Sequence, residues 1–300
     1  MVTTDTALGT QAVLAKAAHE NFPVAPRFLP RAWREDLTAI YGYSRLVDDI
    51  GDGDLPPGGA DARLLGLEPT RAEDRLALLD AVEADLRRVF SPSGDPRHPV
   101  LRALVPMVRR HGLTPEPFLA LVEANRQDQT VHRYPSWEAL RDYCALSAHP
   151  VGRLVLAVTG GAGDEEVRQS DAVCAGLQVV EHLQDVAEDL ARGRVYLPAE
   201  DMRAFAVTED DLAAPSAGEA LRSLIAYECD RAEALLLAGV PLVAGLSGRR
   251  KLLLAGFVGG GRAAVRALRA ADYDVLAHRP RPGRWGVLRE AVRTLRGEGT

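Results

Sequence analysis

Residues 177–198 read LQVVEHLQDVAEDLARGRVYLP, and residues 41–52 read YGYSRLVDDIGD. In the first stretch Val179, Val180, Leu183 and Val186 form an apolar stripe at helical spacing. Asp185 and Asp189 are four apart, so both project from one helical face, one turn or about 6 Å of rise from each other. Gln178, Glu181 and His182 extend that polar face backwards. The second stretch repeats the device: Asp48 and Asp52 share the spacing, and Tyr41 and Arg45 fall on the same face.

Outward from these stretches the period stays helical. Trp33, Leu37, Ile40, Tyr41, Ser44 and Val47 keep it, as do Leu76, Leu79, Val82, Leu86 and Val89. Leu101, Leu104, Val105 and Val108 continue it, then Phe118, Leu121 and Val122. One long helix is expected from Glu165 to about Leu190, another from Gly218 to Ala238, and a last one from about Leu246 to Ala271. No strand-like alternation and no repeat stands out. The expectation is an all-α chain with one domain over residues 19–275, a partly flexible segment over 1–18 and a basic tail over 276–300. Gly and Pro mark loops at Gly51–Gly59, Ser91–Pro99, Gly160–Asp164 and Arg279–Gly286.

The 300 residues carry 42 acids and 36 bases, a net charge of −6, which disfavours a nucleic-acid partner. Only Lys16 and Lys251 are lysines, so arginine supplies nearly all the positive charge. Cys144, Cys174 and Cys229 are too scattered for a zinc site or a disulfide framework. The polar start from Met1 to Gln11 has no signal-peptide pattern, and no apolar run reaches the ~20 residues of a membrane span. A cytoplasmic protein is expected; peripheral contact with the inner membrane face for product release is compatible with that. The glycine runs at Gly160 and Gly259 complete neither nucleotide-binding pattern.

One D-x-x-x-D alone reads as a solvated acidic face. Two, each beside arginine on an amphipathic helix, read as cation sites. Like charges at this spacing repel, and a divalent cation removes the repulsion. Mg²⁺ takes hard oxygen ligands, commonly one or two carboxylates plus substrate phosphates. Two such pairs facing each other across a helical cavity would hold several ions and a diphosphate. Arg192 and Arg194, close behind the second pair, suit a polyanionic substrate. His182, like His19, His132 and His149, reads as a packed or hydrogen-bonded residue.

These blocks, their separation, and DQTVHRYPSWEALRDYC at residues 128–144 resemble the squalene/phytoene synthase family of isoprenoid enzymes, from about His19 to about Ala271. The resemblance implies an all-α isoprenoid synthase fold around a central apolar cavity, and Mg²⁺-dependent departure of diphosphate from an isoprenoid, with Mn²⁺ as a substitute. It assigns Asp48, Asp52, Asp185 and Asp189 to the metal and to catalysis, with Glu181 as a further ligand where many relatives have Asn. Arg45 and Gln178 take positions beside the diphosphate, Tyr41 and Tyr134 lie near the reacting carbons or the diphosphate, and Tyr41 and Arg45 join the aspartates in the catalytic set the resemblance implies. Asp49, Arg192, Arg194 and Tyr196, from the same blocks, complete the substrate-contacting candidates.

Glu20-Asn-Phe-Pro-Val24 and Ser147-Ala-His-Pro-Val-Gly-Arg-Leu154 resemble the hydroxysqualene synthase branch of bacterial hopanoid biosynthesis, which adds Asn21 and Phe22 to the substrate-binding set. That branch implies conversion of presqualene diphosphate and water to hydroxysqualene and diphosphate. No nicotinamide cofactor is expected. The rivals are head-to-head condensation of two farnesyl or geranylgeranyl diphosphates, and an inactive relative serving as an assembly factor. Enzymes of the same pathway are candidate partners.

Overall fold

The computed structural model describes Asn21 and residues 23–298. Among these the helices are α1 (Arg31–Asp52), α2 (Ala60–Leu65), α3 (Arg75–Val89), α4 (Pro99–His111), α5 (Glu116–Gln127), α6 (Trp137–Ser147), α7 (His149–Val158), α8 (Asp164–Gln184), α9 (Val186–Ala191), α10 (Ala199–Ala204), α11 (Glu209–Leu212), α12 (Glu219–Leu237), α13 (Val240–Gly245), α14 (Gly248–Ala270) and α15 (Arg284–Leu295). No strand occurs among the described residues; one isolated parallel bridge joins Arg133 and Val195. The all-α expectation holds. The described residues divide into two compact units, one of 24–130 with 150–162, the other of Asn21 and Pro23 with 131–149 and 163–298.

In the first unit α1 packs against α3, α4 and α5. Its apolar stripe of Leu37, Ile40, Tyr43, Val47 and Ile50 is fully buried, and burial of each such side chain stabilises by about 1.5–3 kcal/mol. Three polar tethers run up the helix. Asp36, buried near its start, accepts two bonds of 2.9 Å from Arg110 and lies 2.9 Å from His111 Nε2. Midway, the Tyr43 hydroxyl donates to the Phe118 carbonyl at 2.9 Å. Near the end, Asn125 Nδ2 donates to Asp48 Oδ1 at 3.2 Å. The helix stops at Gly53, whose φ of 77° is left-handed, so its N–H caps the carbonyls of Asp49 and Ile50.

In the second unit α8, α12 and α14 pack on one another, and α6 lies on α8. Small residues set the approach distances. A Cβ at Gly176 would meet the Ala232 carbonyl at 3.0 Å, and one at Gly259 would sit 2.4 Å from the Ala291 amide nitrogen. The expected basic tail contains α15, which lies along α14 at that point.

Gly259→Ala is therefore expected to force α14 and α15 apart, at a cost of about 1–3 kcal/mol that outweighs the helix-propensity gain of about 1 kcal/mol. Gly286 in α15 has open space around it, so Gly286→Ala should be neutral or stabilising. Thermal unfolding of the two variants checks this, and a Gly259→Ala protein as stable as the parent would contradict the packing.

Candidate active site

In the first unit the predicted site residues lie on the last three turns of α1. Tyr41, Arg45, Asp48 and Asp52 are all partly exposed, while Gly42, Tyr43, Leu46, Val47, Asp49, Ile50 and Gly51 around them are buried. The predicted common face is thus the one stripe of this helix segment that opens outward. Arg45 Nη2 binds Asp49 Oδ1 at 2.9 Å, so Asp49, itself buried, orients the guanidinium. Withdrawal from water pushes the Asp48 carboxyl up to about 7, against the opposing pull of the Asn125 hydrogen bond and the Arg45 charge; Asp52 and Asp49 add repulsion.

Asn125 is a site residue that the sequence did not single out. It stands on the buried face of α5, donates to Asp48 and to the Leu121 carbonyl at 3.1 Å, and crowds Gly51, where a Cβ would sit 2.0 Å from Asn125 Oδ1. Gln129 Nε2 donates to the Gly51 carbonyl at 3.0 Å. Gly51 is therefore the place where α1 lets an amide side chain reach its carboxylate.

In the second unit the predicted acidic residues lie where α8 meets α9. The single helix expected over 165–190 is interrupted at Asp185, whose φ of −110° and ψ of 12° serve as the end of one helix and the start of the next. The hydrogen-bond ladder survives the break: Asp185 N–H reaches the Glu181 carbonyl at 3.0 Å, and Asp189 N–H reaches the Asp185 carbonyl at 2.8 Å. Two consecutive side chains at the break are drawn to a distant segment. Gln184 Nε2 donates to the Pro280 carbonyl at 2.5 Å, and Arg279 pairs with Asp185 Oδ2. Asn21 Nδ2 donates to Gln184 Oε1 at 2.7 Å, which brings the predicted Asn21 to this corner; Phe22 lies outside the described residues.

Asp185 Oδ1 is buried without a hydrogen-bond partner. Burial raises the Asp185 carboxyl to about 6, opposed by Arg279 and aided by the charges of Asp189 and Glu188. Asp189 Oδ2 lies 3.7 Å from His182 Nδ1, and Gln178 Nε2 lies 3.1 Å from His182 Nε2. His182 is packed as expected, stacked on Tyr196 with ring centroids 3.8 Å apart. The bridge of Arg133 to Val195 sets Tyr134 beside Tyr196 at 5.6 Å, and Tyr143 completes the cluster at 5.4 Å from Tyr134. Glu181 is half-buried on the same helix. Arg194 is buried, whereas Arg192 is exposed and pairs with Glu188 at 3.1 Å.

No three His, Cys, Asp or Glu side chains converge on a single metal point among the described residues. Each acidic pair instead offers two hard oxygen donors, with burial or mutual repulsion that a cation would relieve. That donor set suits Mg²⁺ completed by substrate oxygens rather than a protein-only cage. Cys144 and Cys229 are buried and distant in kind from such chemistry, with thiols pushed up to about 12 by burial. No helix among the described residues is long and apolar enough to cross a membrane.

The sequence matches the model of the squalene/phytoene synthase family over residues 15–286. It is 34% identical over 244 residues to a hydroxysqualene synthase of Zymomonas mobilis subsp. mobilis, covering 78% of this chain and 74% of that one. Its fold matches the crystal structure of squalene synthase HpnC from Alicyclobacillus acidocaldarius with a TM-score of 0.73 and 39% identity, over 91% of this chain and 97% of that one. A dehydrosqualene synthase in complex with ligand, 22% identical, matches in fold with a TM-score of 0.80 over 97% of this chain and 95% of that one. A family model matched over most of the chain, relatives at this identity and coverage, and a shared helical fold agree, and the chain belongs to the squalene/phytoene synthase family of enzymes.

Proposed function

We propose that the chain converts presqualene diphosphate and water to hydroxysqualene and diphosphate, with Mg²⁺ held at Asp48, Asp52, Asp185 and Asp189. The observation that carries the metal-dependent part is Asp185 Oδ1, a buried carboxylate oxygen with no hydrogen-bond partner beside a second carboxylate. The similarity to hydroxysqualene synthases supports the branch. Bound Mg²⁺ would stabilise the negative charge that develops on the departing diphosphate.

The carbon–oxygen bond to diphosphate breaks heterolytically, and both electrons leave with the anion. Arg45, braced by Asp49, meets that charge without having to reorganise, which is the condition for strong electrostatic stabilisation. The cation left behind needs apolar and aromatic walls. Tyr134, Tyr143 and Tyr196 are buried and in mutual contact, and an aromatic face contributes about 0.5–2 kcal/mol to a nearby cation. The oxygen of one admitted water then bonds to the cation, its surplus proton passes to solvent or the released diphosphate, and a hydroxyl remains. No reductant is consumed.

The test supplies presqualene diphosphate and Mg²⁺ in ¹⁸O-labelled water without NADPH. Hydroxysqualene carrying the label is the expected product, and EDTA should abolish its formation until Mg²⁺ is restored. Failure to turn over presqualene diphosphate, with ready use of farnesyl or geranylgeranyl diphosphate, would establish head-to-head condensation instead. Inertness toward all three would favour an assembly factor.

A further inference from the structure

Helix α15 is amphipathic in the inverted sense. The face it turns to α14 carries Glu290, Ala291 and Thr294; Glu290 and Thr294 are fully buried. Glu290 Oε1 lies 2.7 Å from Arg266 Nε, and Glu290 Oε2 lies 3.5 Å from Arg262 Nη2. Arg262 Nη1 also donates to the Glu298 carbonyl at 2.9 Å. The opposite face carries Trp285, 83% exposed, Leu288, 52% exposed, and Val292, 36% exposed. These stand at i, i+3 and i+7, a narrow continuous ridge on one side of the helix. Polar groups hold the helix to its unit, and three of its large apolar groups, Trp285, Leu288 and Val292, face out while Val287 and Leu295 are partly covered.

Arginine shares the outer face. Arg289 and Arg296, at i+4 and i+11 from Trp285, are 63% and 70% exposed, and Arg284 is also exposed. Residues 276–298 hold six arginines against Glu290 and Glu298, in a chain whose net charge is −6. The only carboxylate within the helix is the buried Glu290, 3.5 Å from Arg289; Glu298, just past the helix end and 44% exposed, lies 3.8 Å from Arg296, so the exposed face keeps an excess of positive charge.

We propose that α15 docks this chain in the interface of an anionic lipid membrane, with Trp285, Leu288 and Val292 entering at headgroup depth and Arg284, Arg289 and Arg296 on the phosphates. Tryptophan suits that depth because one edge of the indole is apolar and the other donates a hydrogen bond. Arginine stems lie along apolar surface while their guanidinium groups reach the phosphate plane. The arrangement is that of a helix lying in the membrane plane, with an apolar ridge flanked by cations. A second copy of the chain fits less well. A two-fold contact on this ridge would set Arg289 and Arg296 against their own copies, and three side chains are far short of the ~800 Å² per partner of a standard interface.

The proposal does not depend on which isoprenoid diphosphate is the substrate, and its test does not read activity. The intact chain is mixed with vesicles of phosphatidylcholine, with and without phosphatidylglycerol, and binding is read by co-sedimentation and by tryptophan emission. The chain should sediment with the phosphatidylglycerol vesicles roughly tenfold or more better than with phosphatidylcholine alone. Emission should shift to the blue, and Trp285→Phe should remove most of that shift although Trp33 and Trp137 remain. Leu288→Ser with Val292→Ser should weaken binding by roughly tenfold or more and leave the helical circular dichroism unchanged, since both side chains are exposed. No sedimentation with anionic vesicles overturns the proposal, as does equal binding by the double variant. A dimer in lipid-free solution that Leu288→Ser with Val292→Ser dissociates would also overturn it, by assigning the ridge to a second copy.

Discussion

Asp48→Asn and Asp185→Asn should each lower turnover by roughly 10²–10³-fold or more, the scale seen when one preorganised electrostatic group is lost from a site where charge develops. Neither change removes an apolar contact, and the new amide keeps the size of the carboxylate. The fold should therefore survive, and for Asp48 it should improve under stated conditions. In the metal-free protein the Asp48 carboxyl is raised to about 7 by desolvation, against an unfolded value of about 3.9. A raised folded pKa means that its contribution is fully present below pH ~4 and is lost as pH climbs through 7. At pH 8 the charge, poorly solvated although the residue is partly exposed, weakens the native state, and asparagine carries no such charge. Metal-free Asp48→Asn should accordingly be more stable than the parent at pH 8 by on the order of 1–2 kcal/mol after allowance for solvent screening, and unfold at a higher temperature. The gap should close as pH falls toward 4. Mg²⁺ should raise the parent's unfolding temperature at pH 8 and do less for either variant. Near-normal turnover in either variant would remove its aspartate from the catalytic set.

Glu290→Ala should be among the most damaging single changes away from the site. Glu290 is 0% and Arg262 1% exposed, and burial pulls the Arg262 guanidinium below its ordinary value while Glu290 pulls it back up. With the carboxylate gone, Arg262 remains enclosed without its counter-ion, a situation that costs about 3–5 kcal/mol. Arg266, 36% exposed, can turn to solvent, but Arg262 cannot follow. Combining Glu290→Leu with Arg262→Met should recover most of the loss, because an apolar pair of similar volume avoids desolvating two charges. Denaturant unfolding of the single and paired variants decides it, and a mild loss in Glu290→Ala would mean that water reaches the pair.

The long helices were legible because their apolar period is regular. The stripe through Leu37, Ile40 and Val47 predicted α1, and the helices expected over 218–238 and from about 246 to 271 coincide with α12 and α14. The acidic pairs were legible because carboxylates at helical spacing are conspicuous. Three things were not. The break at Asp185 has no Gly or Pro to announce it; it stands where side chains are held by residues 279–280, nearly a hundred positions away. Asn125 reads as one polar residue on an otherwise apolar face, and only the proximity of Gly51 reveals its partner. Helix α15 resembles a tail in sequence because its buried face is Glu290 and Thr294, so apolar periodicity points away from the core.

The corner where Asn21, Gln184 and Pro280 join also dictates an order of assembly. Its bonds link positions 163 and 96 residues apart, and contacts of such separation close late because the intervening chain must first be brought together. On the ribosome, where synthesis runs at roughly 5–20 residues per second and folding proceeds from the N-terminal side, α1 and its acidic pair can pack while the remainder is still being made. Gln184 must wait for residue 280 to leave the exit tunnel. The two acidic pairs therefore mature at different times, and a chain stalled before residue 280 would carry a finished first pair beside a second whose flanking Asn21–Gln184–Pro280 corner is still open.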